Sequence, residues 1–339
     1  MIWCCPACRA SLEADANTFT CAACARIYET VDGIPDLRYP RPQDEVTAND
    51  LTQAREISSS ANDRSDDELV RAFFSVREGA DGWTRADTEL RARHSVAAAA
   101  ALRTEIEGWM SPVTSQTTFL DLGCGLGGLL SSAHDARRNG IGIDNRMSVL
   151  VIAKRILERR GSRPVLACAN AEALPLPDSS VGGVVMYDVV EHIEKIEGAL
   201  SEVSRVTQAG GAFACSTPNR YSLAPEPHVH VWGVGWMPRK YQTAYVRFLS
   251  GRNYEGTRLL SPQELRAMLR RSTRFDVEMR VPAIPPIEVE RSRGPRKLAV
   301  RIFNTISQIG VIRPLLLRIG PFFQLIAVKR ADASAVASS

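Results

Sequence analysis

The chain has 339 residues, of which 45% are hydrophobic and 24% are charged, enough for one large domain and a small one. A formal net charge of +4 does not predict the strong positive field of a nucleic-acid-binding protein. No basic segment followed by an apolar run opens the chain, and no uninterrupted apolar stretch of about 20 residues occurs. The sequence therefore predicts neither a signal peptide nor a membrane span. In the reducing cytoplasm that this implies, cysteines are expected as metal ligands or buried thiols.

Two Cys-x2-Cys pairs lie near the start of the chain: Cys5 with Cys8, and Cys21 with Cys24. Each pair can supply two thiolates from a tight turn, and two such turns complete a tetrahedral zinc site. Residues 1–38 are too few to bury a core, so we expect a structural zinc ion in its place. Four cysteine ligands leave no open coordination position, which predicts no catalysis at this site. Cys4 is a spare cysteine that could replace Cys5.

Residues 39–85 contain prolines, a run of three serines and many acidic residues, a composition typical of a linker. One helix is predicted near residues 66–76, either as a surface connector or as a lid over a ligand. Residues 86–110 predict a further helix, because strong helix formers precede Gly108. His94 on that helix is expected to be solvated or to cap it.

The segment 119–128 predicts a buried strand that ends in a glycine turn and begins a helix. Asp121 lies in the strand and is followed by three glycines: Gly123, Gly125 and Gly127. Glycines permit positive φ and a close approach of the backbone to a ligand. Asp144 comes 21 residues after Gly123, at the end of a second apolar run. In a doubly wound sheet this position brings a carboxylate within reach of two ribose hydroxyls. These residues alone fit NAD equally well.

Alternating strands and helices follow and predict a mostly parallel sheet. The predicted strands are 119–122, 141–143, 165–168, 183–187, 212–216, 275–279 and 322–328. The predicted helices are 126–138, 148–160 and 196–205, and a capping box at Ser261 and Glu264 predicts another helix start.

Five segments resemble, in order and spacing, the class I S-adenosylmethionine (SAM) methyltransferases of the type 11 group: 119–128, 171–178, 187–193, 205–211 and 216–219. The resemblance covers residues 88–280. It implies an α/β, Rossmann-like fold with a mostly parallel seven-stranded sheet.

The resemblance also assigns cofactor contacts. The backbone of the three glycines would cradle the methionine part of SAM, with Asp121 facing its amino group. Asp144 would bind both ribose hydroxyls. Asn170 and Ala171 follow the third strand, where the family often has an aspartate for the adenine amino group. The amide oxygen of Asn170 can still accept that hydrogen bond. The Cys5 to Cys8 turn, with Tyr28 and residues 32–37, resembles the Trm112-like zinc ribbons, which are associated with methyltransferases.

The candidate catalytic residues, and Asp188 as a further cofactor-binding candidate, follow the fourth and fifth strands. Asp188 and His192 lie at the carboxyl edge of the sheet, where open α/β folds bind ligands. His192 is either a neighbour of the substrate or a helix-start residue packed under the site. His228 and His230 belong to the loop 217–238, which is rich in proline, glycine and tryptophan and predicts an aromatic-walled pocket over the transferred methyl group.

In an extended run, His228 and His230 would point to the same side. Either imidazole would take a proton from a substrate hydroxyl, and His228 is favoured. The alternatives are that they only hold the loop together, or that they bind a metal ion with Glu226.

Residues 297–320 are predicted as an amphipathic insertion, because apolar residues recur at helical spacing between basic ones. One interpretation is packing on its own domain or on a second subunit of a homodimer. The other is peripheral contact with the inner face of the membrane, where a lipid-linked glycan acceptor would lie. The methyltransferase domain is expected over residues 86–330, and residues 331–339 are expected to be a disordered tail.

The function predicted is SAM-dependent O-methylation of a hydroxyl on a glycan, glycolipid or secondary metabolite. An RNA base methyltransferase is the first alternative, since zinc-ribbon rRNA methyltransferases share this layout. It would need a basic face and stacking aromatic residues. A non-catalytic scaffold is the second alternative, against which the intact glycine run and Asp144 argue.

Overall fold

The computed structural model describes residues 2–77, 118–135, 139–284, 289, 292 and 294–331. The helix predicted over residues 86–110, with His94, lies outside these residues, as does the tail from residue 332.

The N-terminal unit is a four-stranded antiparallel sheet in chain order: β1 (Leu12–Ala14), β2 (Thr18–Cys21), β3 (Ile27–Val31) and β4 (Ile34–Pro35). Its apolar side chains join the core of the large sheet, with Trp3, Tyr28 and Leu37 among them. The chain leaving β4 runs along the large sheet, where the Leu37 N–H donates to the Cys168 carbonyl over 2.7 Å. The N-terminal unit therefore covers an edge strand that would otherwise present unpaired backbone groups.

Two helices follow this unit: α1 (Glu45–Ser60) and α2 (Asp66–Arg77). The sequence predicted α2 but missed α1. Asp44 caps α1, because its side chain accepts a hydrogen bond from the Thr47 N–H. Leu51, Ala54 and Ile57 form the buried face of α1.

The large sheet contains seven strands: β5 (Phe119–Leu122), β6 (Gly140–Asp144), β7 (Val165–Cys168), β8 (Val181–Tyr187), β9 (Thr207–Pro218), β10 (Phe275–Arg280) and β11 (Phe322–Lys329). Their order is β10-β11-β9-β8-β5-β6-β7, and β11 alone runs in the direction opposite to the other six strands of this sheet. The predicted Rossmann-like, mostly parallel seven-stranded sheet is confirmed. The chain order reverses between β5 and β8, and the carboxyl ends of these strands therefore border the crevice in which such sheets bind ligands.

Further along the chain, the described residues form helices α3 (Gly128–Asp135), α4 (Met147–Arg159), α5 (Ile196–Val206), α6 (Arg239–Ser250), α7 (Pro262–Ser272), α8 (Gly294–Ile306) and α9 (Arg313–Ile319). The capping box of α7 is confirmed. The Ser261 hydroxyl accepts from the Glu264 N–H over 3.2 Å, and Glu264 Oε2 accepts from the Ser261 N–H over 2.8 Å.

The predicted amphipathic segment 297–320 is two helices, α8 and α9, rather than one. Pro314 lies in the first turn of α9, where its missing N–H and fixed φ are tolerated, but it would break a longer helix. Among the described residues, no helix has the length and apolar character needed to cross a membrane.

Candidate active site

The loop after β5 has a backbone that only glycine adopts readily. Gly123, Gly125 and Gly127 have φ values of 79°, 50° and 75°. A Cβ on Gly123 would lie 2.3 Å from Cγ2 of Val189, and one on Gly127 would lie 2.8 Å from Cδ1 of Leu157. A Cβ on Gly125 would meet none of the described atoms within 4 Å. Packing therefore requires glycine at positions 123 and 127, whereas Gly125 borders open space that a ligand can fill.

Asp144 joins this loop to the end of β6. Its Oδ2 accepts from the Gly125 N–H over 3.1 Å, and its Oδ1 accepts from the Arg146 N–H over 3.0 Å. The side chain is half-buried. Burial raises the pKa of this carboxyl, while the two N–H groups act in the opposite direction. A carboxylate has about four acceptor positions, so both oxygens can also accept from ribose hydroxyls.

Asp121 is buried at the carboxyl end of β5, with 5% of its surface exposed. Burial, and secondly the negative charge of Asp144, raise the pKa of Asp121 to about 8. At neutral pH the empty site therefore favours the protonated acid, and a bound ammonium group would favour the carboxylate.

Asn170 follows β7 and binds the linker after the N-terminal unit. Its Nδ2 donates to the carbonyl oxygens of Tyr39 and Pro40, both over 3.2 Å. This orientation commits the amide nitrogen to the linker. The predicted adenine contact of Asn170 and Ala171 stays a prediction.

Asp50 and Arg38 are two buried side chains that support the turn after Asp144. The sequence did not predict a role for either of them. Asp50, on α1, accepts from the N–H groups of Met147 (2.8 Å) and Ser148 (3.1 Å), and so caps α4. Arg38 forms a bidentate pair with Asp36, both contacts being 2.7 Å. Arg38 also donates to the Asn145 carbonyl over 3.3 Å, and its Nη1 lies 3.6 Å from Asp50 Oδ2. The chain leaving the N-terminal unit and helix α1 thus hold the residues that directly follow Asp144.

A cluster of one carboxylate and two imidazoles lies beyond β8. It consists of Glu191, His192 and His228, whose potential ligand atoms all lie within 4.8 Å of one another. The two imidazole rings meet edge to face, with centroids 4.9 Å apart. Glu191 is fully buried, and its Oε2 accepts from the Thr217 hydroxyl over 3.0 Å. No described residue makes a hydrogen bond to its other oxygen, Oε1.

Glu226 orients His228. This buried carboxylate lies 2.5 Å from His228 Nδ1 through Oε1. Its Oε2 accepts from the backbone N–H groups of His228 (2.7 Å) and Val229 (2.9 Å). A carboxylate at Nδ1 favours the tautomer in which Nδ1 carries the proton and Nε2 has the lone pair. His228 was predicted as a base, but this orienting role of Glu226 was not.

The run from His228 to His230 is not extended, so the condition under which the two imidazoles would point to the same side is not met. Residues 227–229 form a turn, in which the His230 N–H donates to the Glu226 carbonyl over 2.8 Å. The carboxylate of Glu226 stabilises this turn, because it accepts from the N–H groups inside it. His230 is exposed, with φ of 58°, and is not part of the cluster around His228. Asp188 is also exposed and has φ of 54°, a strained conformation for an aspartate beside a site.

The predicted aromatic residues of the loop lie on its surface. Trp232 and Trp236 are 63% and 53% exposed. The Trp236 indole N–H donates to the Ser222 carbonyl over 3.1 Å, and its ring packs on Tyr221 at 5.2 Å. The tryptophans therefore form an exposed surface rather than the walls of an enclosed pocket.

The four predicted metal ligands lie together in the N-terminal unit. Their sulfur atoms all lie within 4.8 Å of one another, with Cys5 to Cys24 at 3.7 Å and Cys8 to Cys21 at 3.4 Å. Tetrahedral zinc with Zn–S bonds of about 2.3 Å places its sulfurs about 3.8 Å apart, so these cysteines fit zinc closely. Cys4 is not part of the cluster, and burial raises the pKa of its thiol to about 11.

The two cysteine turns have the same construction. The residue after each second cysteine, Arg9 or Ala25, has positive φ and donates its N–H to the carbonyl of the first cysteine. The backbone N–H of Arg26, and then its side chain, lower the pKa of Cys24 to about 6. This environment favours the thiolate that a metal ion binds.

Comparisons with known proteins agree with this geometry. Residues 120–215 match the family described as a methyltransferase domain. A probable S-adenosylmethionine-dependent methyltransferase of Mycolicibacterium smegmatis is 36% identical over 106 residues, which cover 31% of this chain and 40% of the relative. An O-methyltransferase of Aspergillus nomiae is 28% identical over 38% of this chain and 58% of its own length. The matched stretches span 40% and 58% of the length of these two relatives, less than two thirds in both.

Among solved structures, phosphoethanolamine N-methyltransferase 2 of Haemonchus contortus, in complex with SAM, has a TM-score of 0.47 and 15% identity. The alignment covers 68% of this chain and 52% of that one. The strand order, the glycine loop and the match over residues 120–215 together support a class I SAM-dependent methyltransferase.

Proposed function

We propose that this protein transfers the methyl group of SAM to a hydroxyl oxygen of a glycan, glycolipid or secondary metabolite. The main support for the proposal is that the residue packed against the glycine loop is followed closely in the chain by two members of the histidine cluster. Val189 fills the space in front of Gly123, and Glu191 and His192 follow it within three residues. A methyl group held above the glycine loop would therefore lie close to the imidazoles.

Binding and orientation of SAM fall to the residues described above. Asp144 would hold the ribose hydroxyls, Asp121 the ammonium group, and the amides of Gly123 to Gly127 the methionine part. Asp188, at the end of β8, would contact the same ligand. Asn170 and Ala171 would flank the adenine. Much of the rate enhancement would come from this positioning, since aligned reactants react far faster than free ones.

In the transfer step, a lone pair of the acceptor hydroxyl attacks the sulfonium methyl carbon. The bond between carbon and sulfur breaks, and its electron pair stays on sulfur, which leaves S-adenosylhomocysteine. The acceptor oxygen loses its proton to Nε2 of His228. Glu226, at Nδ1, stabilises the imidazolium that forms. His192 lies beside His228 as a neighbour of the acceptor, and we assign no proton transfer to His230.

The N-terminal unit is, in this proposal, a Trm112-like ribbon in which zinc is held by Cys5, Cys8, Cys21 and Cys24. Zinc would be structural there, because four thiolates fill the coordination sphere.

The surface of α8 and α9 supports an amphiphilic acceptor. Leu298, Ile302 and Leu315 are 61%, 51% and 55% exposed, and Arg301 and Arg313 lie beside them in the chain. We propose a cytoplasmic protein in which residues 297–320 meet a membrane surface that carries the acceptor, or a second copy of the chain.

The test is incubation with methyl-labelled SAM and separated lipid, glycan, small-molecule and RNA fractions of the source cell. Asp144→Ala, in which SAM binding is expected to be weakened, serves as the control, at a SAM concentration that its affinity does not saturate. We expect label in a lipid, glycan or small-molecule fraction, in a product that resists alkali as an ether does. Label in RNA would replace the proposal by base methylation. Label in no fraction, together with failure of the wild-type protein to bind SAM, would favour the non-catalytic scaffold.

A further inference from the structure

The cluster of Glu191, His192 and His228 has the composition of a metal site. We propose that it binds one divalent cation of the manganese, cobalt and zinc class. Two imidazoles and one carboxylate are ligands that these ions accept, whereas calcium and magnesium prefer oxygen ligands alone. The potential ligand atoms lie within 4.8 Å of one another. A cation about 2.1 Å from each requires separations of at most about 4.2 Å, so binding would draw the side chains together by a few tenths of an ångström.

The buried carboxylate of Glu191 supplies independent support. Its Oε1 has no hydrogen-bond partner among the described residues, although the side chain is fully buried. An unpaired buried carboxylate oxygen is costly, because it loses its water without replacement. A cation at the centre of the cluster would satisfy this atom. The Thr217 hydroxyl already holds the second oxygen, Oε2, and so fixes the carboxylate in place.

Glu226 provides the hydrogen-bond acceptor that metal-bound histidines usually have at their second ring nitrogen. A histidine ligand usually donates its other ring N–H to a carboxylate, which fixes the ring and increases its basicity. The contact of 2.5 Å between His228 Nδ1 and Glu226 Oε1 provides this interaction and leaves Nε2 for the cation. The exposed side chain of His192 places the cluster at the surface of the crevice, so that a ligand can reach the remaining coordination positions.

This inference rests on the proposed function and changes one step of it. With three protein ligands, the cation has open positions for one acceptor hydroxyl or two adjacent ones. Coordination lowers the pKa of a bound hydroxyl, which then releases its proton to solvent. The resulting oxygen attacks the sulfonium methyl group as before, the carbon–sulfur bond breaks, and the products are the methyl ether, S-adenosylhomocysteine and one proton. In this form of the enzyme His228 is a ligand, and the cation replaces it as the activating group.

The test measures Mn²⁺ binding by electron paramagnetic resonance on the full chain, after a chelating resin has removed loosely bound cations. Elemental analysis first confirms that the ribbon still holds zinc, because thiolates prefer zinc to manganese. We expect one Mn²⁺ per chain. His192→Ala and Glu191→Gln should weaken binding at least tenfold. His230→Ala, an exposed histidine of the same loop outside the cluster, should leave binding unchanged.

His192→Ala removes an exposed side chain, so it keeps the test valid if Glu191→Gln does not fold. No Mn²⁺ bound by the wild-type protein, or equal binding by His192→Ala, would overturn the cation site. Methyl transfer that continues in resin-treated protein would leave the proposed function intact with His228 as the base. Mn²⁺ binding without methyl transfer to any fraction would support the site and contradict the proposed function.

Discussion

Asp50 and Ser148 are 98 residues apart in the chain, yet Oδ1 of Asp50 accepts from both the backbone N–H (3.1 Å) and the hydroxyl (2.5 Å) of Ser148. Helix α1, outside the large sheet, thereby holds the first turn of α4 beside Asp144. Oδ2 of the same carboxylate lies 3.6 Å from Nη1 of Arg38, which belongs to the segment that follows the N-terminal unit. Two segments outside the large sheet, helix α1 and the segment that follows the N-terminal unit, therefore support the turn that follows Asp144.

Replacing Asp50 should weaken SAM binding without removing any cofactor contact. Asp50→Asn turns one of the two acceptor oxygens into a donor and leaves the buried Arg38 with less negative charge nearby. We expect a loss of about 1–2 kcal/mol in the free energy of unfolding, as for a lost helix cap. We also expect SAM affinity to fall several-fold, measured by calorimetry.

The control for Asp50 is Ser261→Ala, which removes the cap of α7. It should reduce stability by a similar amount while the dissociation constant for SAM stays the same. Equal effects of both variants on SAM affinity would show that Asp50 acts only through overall stability.

Gly125→Ala should reduce SAM affinity in addition to a small loss of stability. Its Cβ would stand in open space bordered by the loop, and its φ of 50° makes alanine strained. Gly161→Ala is the matched control, since Gly161 has φ of 79° and a Cβ there would meet no atom of the described residues within 4 Å. Each variant should lose about 1–2 kcal/mol of stability from the left-handed backbone. Only Gly125→Ala should also lose SAM affinity, and a normal dissociation constant in that variant would show that SAM does not approach this glycine.

SAM binding should release a proton from Asp121 below pH 8. The folded, empty protein raises the pKa of this carboxyl to about 8, mainly by burial, so it is protonated at pH 6.5. The ammonium group of SAM would favour the charged form and expel the proton, so affinity should rise with pH up to about 8. Calorimetry at pH 6.5 in buffers of different ionisation enthalpy measures the released proton.

Asp121→Asn provides the control, because an amide cannot release this proton. Equal proton release in the wild-type protein and in Asp121→Asn would assign the proton to another group. The raised pKa also acts on stability. The folded state holds a proton that the unfolded chain has lost between about pH 4 and 8, so the contribution of Asp121 to stability falls as pH rises through this range.

Zinc removal should destabilise the whole protein, because the ribbon shares its core with the large sheet. Elemental analysis should find one zinc ion per chain in the wild-type protein and none in Cys21→Ser. Cys4→Ser is the control, since Cys4 lies outside the ligand cluster, and it should retain zinc. A lower midpoint of thermal unfolding should accompany the loss of zinc. Protein purified without zinc, yet with unchanged stability, would contradict a structural metal.

The parallel part of the fold could be predicted because its signals are local. Each strand is a short apolar run, and the glycines of the first turn stand next to the strand they end. The beginnings of β8 and β9 were placed too late in the chain, since a register shift lies between Val181 and Gly183. A Cβ on Gly211 would lie 2.7 Å from the Gly182 carbonyl oxygen, so the glycines there allow a close approach of two strands that no single-strand pattern reveals.

In the large sheet, the candidate site was predictable where its residues lie at or shortly after the end of a strand. Asp121 and Asp144 lie near the ends of β5 and β6, and His192 comes soon after β8. The role of Asp50 could not be predicted from the sequence, because its partners are 97 and 98 residues away in the chain. For His228 and His230, the sequence could not distinguish an extended run from a turn. The hydrogen bonds of the Glu226 carboxylate favour the turn, and no periodic pattern in the sequence predicts them.

The most direct test of the account is calorimetric titration of the wild-type protein and of Asp144→Ala with SAM and, separately, with NAD. We expect one SAM site in the wild-type protein, affinity at least about tenfold weaker in the variant, equal to about 1.4 kcal/mol, and no heat from NAD. Wild-type protein that binds NAD instead, or a variant with an unchanged SAM dissociation constant, would contradict the cofactor assignment on which the proposed function depends.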